Sequence, residues 1–384
     1  MRVIYWSLLV LITSFNCASS QDQSPEKVLP GAYQTSEYLP FLENKNIGIC
    51  TNQSGIIEGT HLVDSLISLG FNVKKVFSPE HGFRGKADAG EKVETEENDD
   101  QFELISLYGK NRRPTKEQLS DLDLMIFDIQ DVGVRFFTYL STLTYLMEAC
   151  AEIGLPLLIL DRPNPNGSYV DGPVMEDAHK SFLGLHPIPI VHGLTPGEFA
   201  LMLNGENWLE EGLQCDLTII KSKNWDHQQP YSLPVKPSPN LPDDVSISWY
   251  PSLCLFEQTI CSVGRGTNKA FQHIGHPDYP DQTYSFTPVS QEGAKTPIFK
   301  NQICYGVDFG TEGTKYEFTI QPLIDFHKIM DNGDFFKPYL HRLAGTKDLQ
   351  SQIESGWTEQ EIRKSWEPAL SNFKEKRKKY LLYP

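Results

Sequence analysis

From residue 46 to about residue 221 the chain alternates short, nearly unbroken apolar runs with longer segments whose apolar residues recur at helical spacing. The runs lie at 47–50, 73–77, 104–107, 124–127, 157–160, 188–191 and 217–220 and are built mainly from Val, Ile, Leu and Phe. Runs that are apolar at almost every position belong to strands covered on both faces. Helical spacing occurs at 61–69, 137–153 and 196–204. This rhythm predicts an α/β fold, an open and mostly parallel sheet with helices on both faces.

Beyond residue 241 the pattern changes. Pro, Gly and aromatic residues dominate to about 309, and helical spacing returns at 323–330 and 360–380. That predicts a smaller α+β domain, and 384 residues are too many for one small core. The boundary falls in Leu233-Pro-Val-Lys-Pro-Ser-Pro-Asn-Leu-Pro242, where each proline steers its predecessor away from the helical region. The expected organisation is a leader over 1–21, a first domain over 22–240 and a second over 241–384.

The leader rests on Arg2, an apolar stretch at 5–15, and the small residues around Cys17, Ala18 and Ser19. It is too short to span a bilayer comfortably and reads as a secretory signal, placing the mature chain in the periplasm. Cys17 offers a lipid anchor on the periplasmic membrane face as the alternative. Ser14-Phe15-Asn16 matches the small-residue box before a lipidated cysteine poorly, so simple cleavage is expected. No other stretch is apolar enough to cross a membrane. Seven cysteines occur without a CxxC pair, so no zinc site of that type is expected. Most of them sit in or beside apolar runs, as small buried hydrophobes do. Export permits disulfides, and Cys254 with Cys261 is one candidate pair.

The formal net charge of −16 argues against nucleic acid as a partner. An anionic ligand then needs a local arginine cluster. The unusual polar residues fall just after the apolar runs, where ligands of open α/β sheets bind. They are Thr51-Asn52-Gln53-Ser54-Gly55, Ser78-Pro79-Glu80-His81-Gly82-Phe83-Arg84-Gly85, Asp128-Ile129-Gln130-Asp131-Val132-Gly133-Val134-Arg135, Asp161-Arg162-Pro163-Asn164 and His192-Gly193-Leu194-Thr195-Pro196-Gly197-Glu198. Five such loops on one rim are expected to converge on a single cleft. Thr195 and Glu198 read instead as a helix capping box followed by proline at the first helical position.

Glu80 beside His81 has no helical run after it, and glycine lets backbone approach a ligand closely there. Glycoside hydrolysis needs a carboxylic acid to protonate the leaving oxygen and commonly a second carboxylate. Glu80, walled by Phe77 and Phe83, is the first candidate for the acid, since an apolar wall favours its protonated form. Asp128, which ends its strand, is the candidate for the second role, and Glu257 enters from the second domain. A divalent metal on His81, Asp128 and His192 competes, but no tight ligand spacing supports it, and no metal or cofactor is expected. No GxGxxG follows the first strand and no GxSxG occurs. A non-catalytic sugar-binding protein using the same cleft is the alternative function.

The blocks around Phe77-Ser-Pro-Glu-His-Gly-Phe-Arg-Gly85, Phe127-Asp-Ile-Gln-Asp-Val-Gly-Val-Arg135, Leu160-Asp-Arg-Pro-Asn-Pro-Asn-Gly167, Pro237-Ser-Pro-Asn-Leu-Pro242, Gly264-Arg-Gly-Thr267 and the final Tyr380-Leu-Leu-Tyr-Pro384 resemble the exo-β-N-acetylmuramidases. The likeness covers nearly the whole mature chain. It implies a Rossmann-like first domain, a smaller second domain, a site in the cleft between them, and release of terminal N-acetylmuramic acid from peptidoglycan fragments. It implies that Glu80 is the family's glutamate. The family usually has Glu-Gly-Thr where this chain has Glu257-Gln258-Thr259. The lactyl carboxylate of that sugar requires a cation, and Arg84, Arg135, Arg162 and Arg265 all lie in the matched blocks. Asn52, Asp131, Asp161, Asn164 and His192 complete the candidate binding set.

Overall fold

The computed structural model describes residues 26–79, 82–83, 101–310 and 316–384. Six strands form one parallel sheet: β1 (Ile47–Thr51), β2 (Val73–Ser78), β3 (Glu103–Ser106), β4 (Leu124–Asp128), β5 (Leu157–Leu160) and β6 (Leu217–Ile220). Their order is β3-β2-β1-β4-β5-β6. That is the Rossmann order, which reverses direction between β1 and β4 and opens a crevice at their carboxyl ends. Thr51 stands opposite Asp128, so the two exit loops leave the sheet side by side.

Alternate strand residues feed two cores. Ile47, Ile49, Val76, Ile126 and Leu158 meet Leu42 of α1 (Thr35–Leu42) and Leu66 of α2 (Leu62–Ser68). Cys50, Phe77, Met125, Phe127 and Ile159 meet Leu143 and Met147 of α3 (Tyr139–Ile153) and Phe199 of α4 (Pro196–Gly205). The sheet is therefore covered on both faces, as its unbroken apolar runs require. The second core continues through Tyr250, Leu253, Phe256, Phe271 and Phe326 of the second domain. Each fully buried large side chain contributes roughly 1.5–3 kcal/mol, so a shared core of this kind resists separation of the two parts.

The expected strand at 188–191 is not part of the sheet. Val191 makes only isolated bridges, to Val134 and Asp171. Pro187 and Pro189 remove ladder donors from this stretch, and no α-helix crosses over between β5 and residue 188 to bring a further parallel strand alongside.

In the second domain α5 (Asp244–Leu253) precedes a small antiparallel sheet of β7 (His273–His276), β8 (Ser285–Phe286) and β9 (Cys304–Asp308). Then come α6 (Gln321–Met330), α7 (Leu340–Ala344), α8 (Asp348–Glu354) and α9 (Glu359–Arg377). After α9 the chain returns to the first domain. The Tyr383 hydroxyl donates to Asp161 Oδ2 at 2.6 Å, and the Leu382 N–H donates to Glu198 Oε1 at 2.8 Å. Arg135 ties the domains from the other direction. Its terminal nitrogens donate to the carbonyls of Pro173 and Ile188 at 2.8 Å and of Leu343 and Ala344 at 2.7 Å. Cys50, Cys150, Cys215, Cys254, Cys261 and Cys304 are buried free thiols, so the Cys254–Cys261 pair is not formed. No helix among the described residues is long and apolar enough to cross a membrane.

Candidate functional site

The crevice is floored by a hydrogen-bonded polar layer. Asn52 Oδ1 accepts from the Ser54 N–H at 2.9 Å and from its hydroxyl at 2.6 Å. Ser54 Oγ in turn accepts from the Gln130 N–H at 2.9 Å, which fastens the β1 exit loop to the β4 exit loop. Both oxygens of Asp128 are occupied, by Arg162 Nε at 2.5 Å and Nη2 at 2.9 Å, and both residues are buried. Two-point pairing of this kind compensates the desolvation of both charges and fixes the loops that carry them.

Asp131 Oδ1 accepts from the Gly133 N–H at 2.6 Å, whereas its Oδ2 has no partner among the described residues. Burial pushes this carboxyl up to about 7, against the lowering effect of the Gly133 and Val132 N–H groups. His192 Nδ1 accepts from the Leu194 N–H at 3.1 Å, so the neutral ring carries its proton on Nε2, 3.9 Å from Asp131 Oδ1. Burial, and then the charges of Arg377 and Arg135, push the imidazole down to about 3. Asn164 donates to the Leu194 carbonyl at 2.9 Å. Gly133, at φ +78°, leaves room for it, since a Cβ there would sit 2.2 Å from Asn164 Oδ1.

Asp161 accepts from Thr195 Oγ1, the Gly197 N–H and the Tyr383 hydroxyl at 2.6–2.8 Å, and burial still raises its pKa to about 6. Thr195 and Glu198 form the expected capping box of α4. The chain's last residues thus cover the Asp161 and Thr195 loops, which do not line the pocket described next.

That pocket lies where the first domain meets the second. Phe136, Phe137, Thr138 and Tyr139 contribute one wall, Ser238, Asn240 and Leu241 of the proline-rich segment another, and Tyr250, Glu257, Arg265 and Phe271 the third, with Leu183 beside them. The aromatic walls pack edge-on, Phe136 on Tyr250 at 5.5 Å and Tyr250 on Phe271 at 4.9 Å. Arg265 Nε donates to Glu257 Oε1 at 2.6 Å, and the guanidinium lies 5.0 Å from the centre of the Phe271 ring. Among the described residues no hydrogen bond uses its terminal nitrogens. Gly264 turns the chain into Arg265 at φ +76°, and a Cβ there would meet the His273 ring at 2.3 Å. Gln258 has no positive φ, so the glycine usual in the family is not needed at that point.

Of the sequence candidates, Glu257 and Arg265 line the pocket. Asn52, Asp128, Asp131, Arg135, Asp161, Arg162, Asn164 and His192 are buried and are not among its lining residues. Glu80, His81 and Arg84 lie outside the described residues. Their neighbours Phe77 and Phe83 are both buried, and Phe83 packs edge-on against His61 at 4.7 Å. Among the described residues no group of three His, Cys, Asp or Glu side chains is arranged to hold a metal ion. The sequence reading passed over Ser238, Asn240, Tyr250 and Phe271. The signal available for the first two was Pro237-Ser-Pro-Asn-Leu-Pro242, which reads as a linker and in fact forms a wall.

Two family profiles match the chain in tandem: Exo-beta-N-acetylmuramidase NamZ, N-terminal, over residues 47–245, and Exo-beta-N-acetylmuramidase NamZ, C-terminal, over residues 248–383. A Bacillus subtilis (strain 168) protein named peptidoglycan beta-N-acetylmuramidase NamZ is 37% identical, with 90% of this chain and 89% of that protein covered. Two crystal structures of DUF1343 family proteins from Bacteroides fragilis NCTC 9343 share the fold. BF0379 superposes with a TM-score of 0.86 at 45% identity, and BF0371 with 0.81 at 27%. Each covers 93% of this chain and 99% of its own.

Proposed function

The chain belongs to the exo-β-N-acetylmuramidase family and is an exo-acting glycosidase of peptidoglycan, and we propose that it holds the terminal N-acetylmuramic acid in the aromatic pocket that carries Glu257 and Arg265. The observation that carries this reading is Arg265. A lactyl carboxylate distinguishes this sugar from N-acetylglucosamine, and it calls for a cation in a partly dry pocket. Arg162 spends its charge on Asp128, and Arg135 spends its terminal nitrogens on four backbone carbonyls. Arg265 is the described candidate that lines the pocket with its terminal nitrogens uncommitted to described residues. Glu257 fixes its Nε, so the remaining fork meets a carboxylate in a set orientation.

In this reading Glu80 is the general acid. In sequence it comes two residues after β2, a strand that ends at Ser78 and lies next to β1 in the sheet. Its proton goes to the glycosidic oxygen as the bond to the anomeric carbon breaks, and the leaving saccharide departs as an alcohol. Water then supplies the new anomeric hydroxyl, and its other proton returns to the Glu80 carboxylate. Asp128, with both oxygens held by Arg162, acts as a positioning residue, as do Asn52, Asp131, Asp161, Asn164 and His192. Purified protein is expected to release nitrophenol from a nitrophenyl N-acetylmuraminide far faster than from the glucosaminide. Tight binding of the muraminide without turnover would overturn the reading in favour of a binding protein.

We propose that the apolar stretch after Arg2 is an export signal over 1–21 and that the mature chain is periplasmic. Mass spectrometry of the N-terminus recovered from cells tests it. A cut near residue 21 is expected, and a lipid on Cys17 would replace the soluble periplasmic location with an anchored one.

A further inference from the structure

Beside the aromatic pocket runs a second, more open compartment. Ser238 belongs to the walls of both, so they adjoin. The pocket has a volume of about 150 Å³ and the groove about 570 Å³. Gln53, Lys236, Ser238, Thr267, Asn268 and Gln291 line the groove, together with Glu292 and an apolar strip of Val235, Pro239 and Pro242. Its polar groups are therefore neutral amides and hydroxyls with one cation and one anion, set beside that apolar strip. Such a lining suits a neutral, hydroxyl-rich ligand better than an anion or an apolar group.

Two amide side chains in these walls share an arrangement. Gln53 Nε2 donates to the carbonyls of Lys236 at 3.2 Å and Pro237 at 3.1 Å, while its Oε1 is buried with no partner among the described residues. Asn240 Nδ2 donates to the Gly293 carbonyl at 2.8 Å, while its Oδ1 is buried with no partner among the described residues. Asn240 is only 2% exposed. The bonds to backbone settle which end of each amide is the oxygen. A buried acceptor without a donor is costly and uncommon in a folded protein. Here one such acceptor belongs to a residue lining each compartment, and both amides are tied to the proline-rich segment or the loop it touches. The missing partners are O–H or N–H donors.

We propose that the groove is the subsite for the leaving-group saccharide, and that Gln53 accepts a hydrogen bond from a hydroxyl or acetamide N–H of the sugar that follows the scissile bond. This rests on the reading that the adjoining pocket holds the terminal muramic residue. Gln53 acts as a specificity-determining residue for the leaving group. An aryl leaving group brings no donor and gains nothing from it. Asn268, an exposed residue that also lines the groove, acts on the same sugar without taking part in the clamp on the linker.

The experiment measures kcat/KM of wild type, Gln53→Met and Asn268→Ala on two substrates. One is the nitrophenyl N-acetylmuraminide, and the other is the disaccharide in which N-acetylglucosamine replaces the aryl group. Gln53→Met is expected to lower kcat/KM for the disaccharide about tenfold while changing the aryl substrate by less than about twofold. Asn268→Ala is expected to shift the ratio in the same direction. Equal losses on both substrates would show that Gln53 only braces the linker, and no loss on the disaccharide in either variant would overturn the assignment. Wild-type protein that turned over neither substrate would overturn the muramidase reading itself, and the groove assignment with it.

Discussion

Replacing Arg265 by methionine keeps most of the side chain's length and removes its charge and fork. In the folded protein its Nε bonds Glu257 at 2.6 Å, and the two side chains are 25% and 29% exposed. A hydrogen bond to a charged group contributes about 1.5–3 kcal/mol, and partial exposure favours the lower end of that range. At about 1.4 kcal/mol per factor of ten, the variant should lose roughly 10- to 100-fold in kcat/KM on an N-acetylmuraminide. The glucosaminide has no lactyl carboxylate, so its low rate should change little and the preference between the two should collapse by the same factor. Part of the loss comes from leaving Glu257 and the substrate carboxylate facing each other without a cation. The double variant Glu257→Gln with Arg265→Met isolates that part and should recover some of the muraminide rate. Arg265→Lys, which keeps charge without the planar fork, should fall between wild type and Arg265→Met. The assay is steady-state release of nitrophenol from both glycosides by all four proteins. An unchanged preference in Arg265→Met would remove Arg265 from substrate recognition.

Three further outcomes follow from the buried polar layer. Asp131 has its pKa raised to about 7, so the folded state holds its proton more tightly than the unfolded chain does. Its contribution to stability is present below about pH 4 and is lost as pH rises through about 7, whereas His192, lowered to about 3, contributes in the opposite sense below its ordinary value. Asp131→Asn should therefore be more stable relative to wild type at pH 8 than at pH 5 in urea unfolding, and a difference independent of pH would contradict this. Arg135→Met strips four carbonyls of their donors and should cost about 3–5 kcal/mol of unfolding free energy, where a cost under about 1 kcal/mol would show that the clasp between domains is dispensable. Tyr383→Phe removes a donor from the buried Asp161 carboxyl and an acceptor from the Ser222 N–H, and should lower stability by about 1–3 kcal/mol without altering the preference for muraminide.

The parallel sheet was legible because both its faces are covered. Strands such as 124–127 and 157–160 are apolar at every position, and no helix pattern of that length competes with them. The stretch at 188–191 imitates that signal, but its prolines deny it a ladder. The chain termini account for what else escaped the sequence. Nothing in Tyr380-Leu-Leu-Tyr-Pro384 indicates that Tyr383 will reach 222 residues back to Asp161, closing a loop that would otherwise stand at an open rim. Long-range contacts of this kind also separated the arginines. All four look alike as sequence. Arg162 is fixed by a carboxylate one strand away and Arg135 by carbonyls from the other domain, while Arg265 lines the pocket. The proline-rich segment reads in sequence as a linker, yet its role as a wall depends on Asn240 and Ser238 meeting residues that come before and after it in the chain.

The central claim is that one terminal muramic residue is removed with Glu80 as the proton donor. Its most direct test is mass spectrometry of a defined tetrasaccharide with N-acetylmuramic acid at its non-reducing end, treated with wild type and with Glu80→Gln. Wild type should yield free N-acetylmuramic acid and a trisaccharide that begins with N-acetylglucosamine. The variant, with an unchanged circular dichroism melt, should be slower by at least about a hundredfold. Internal cleavage products, or a variant that works at the wild-type rate, would contradict the account.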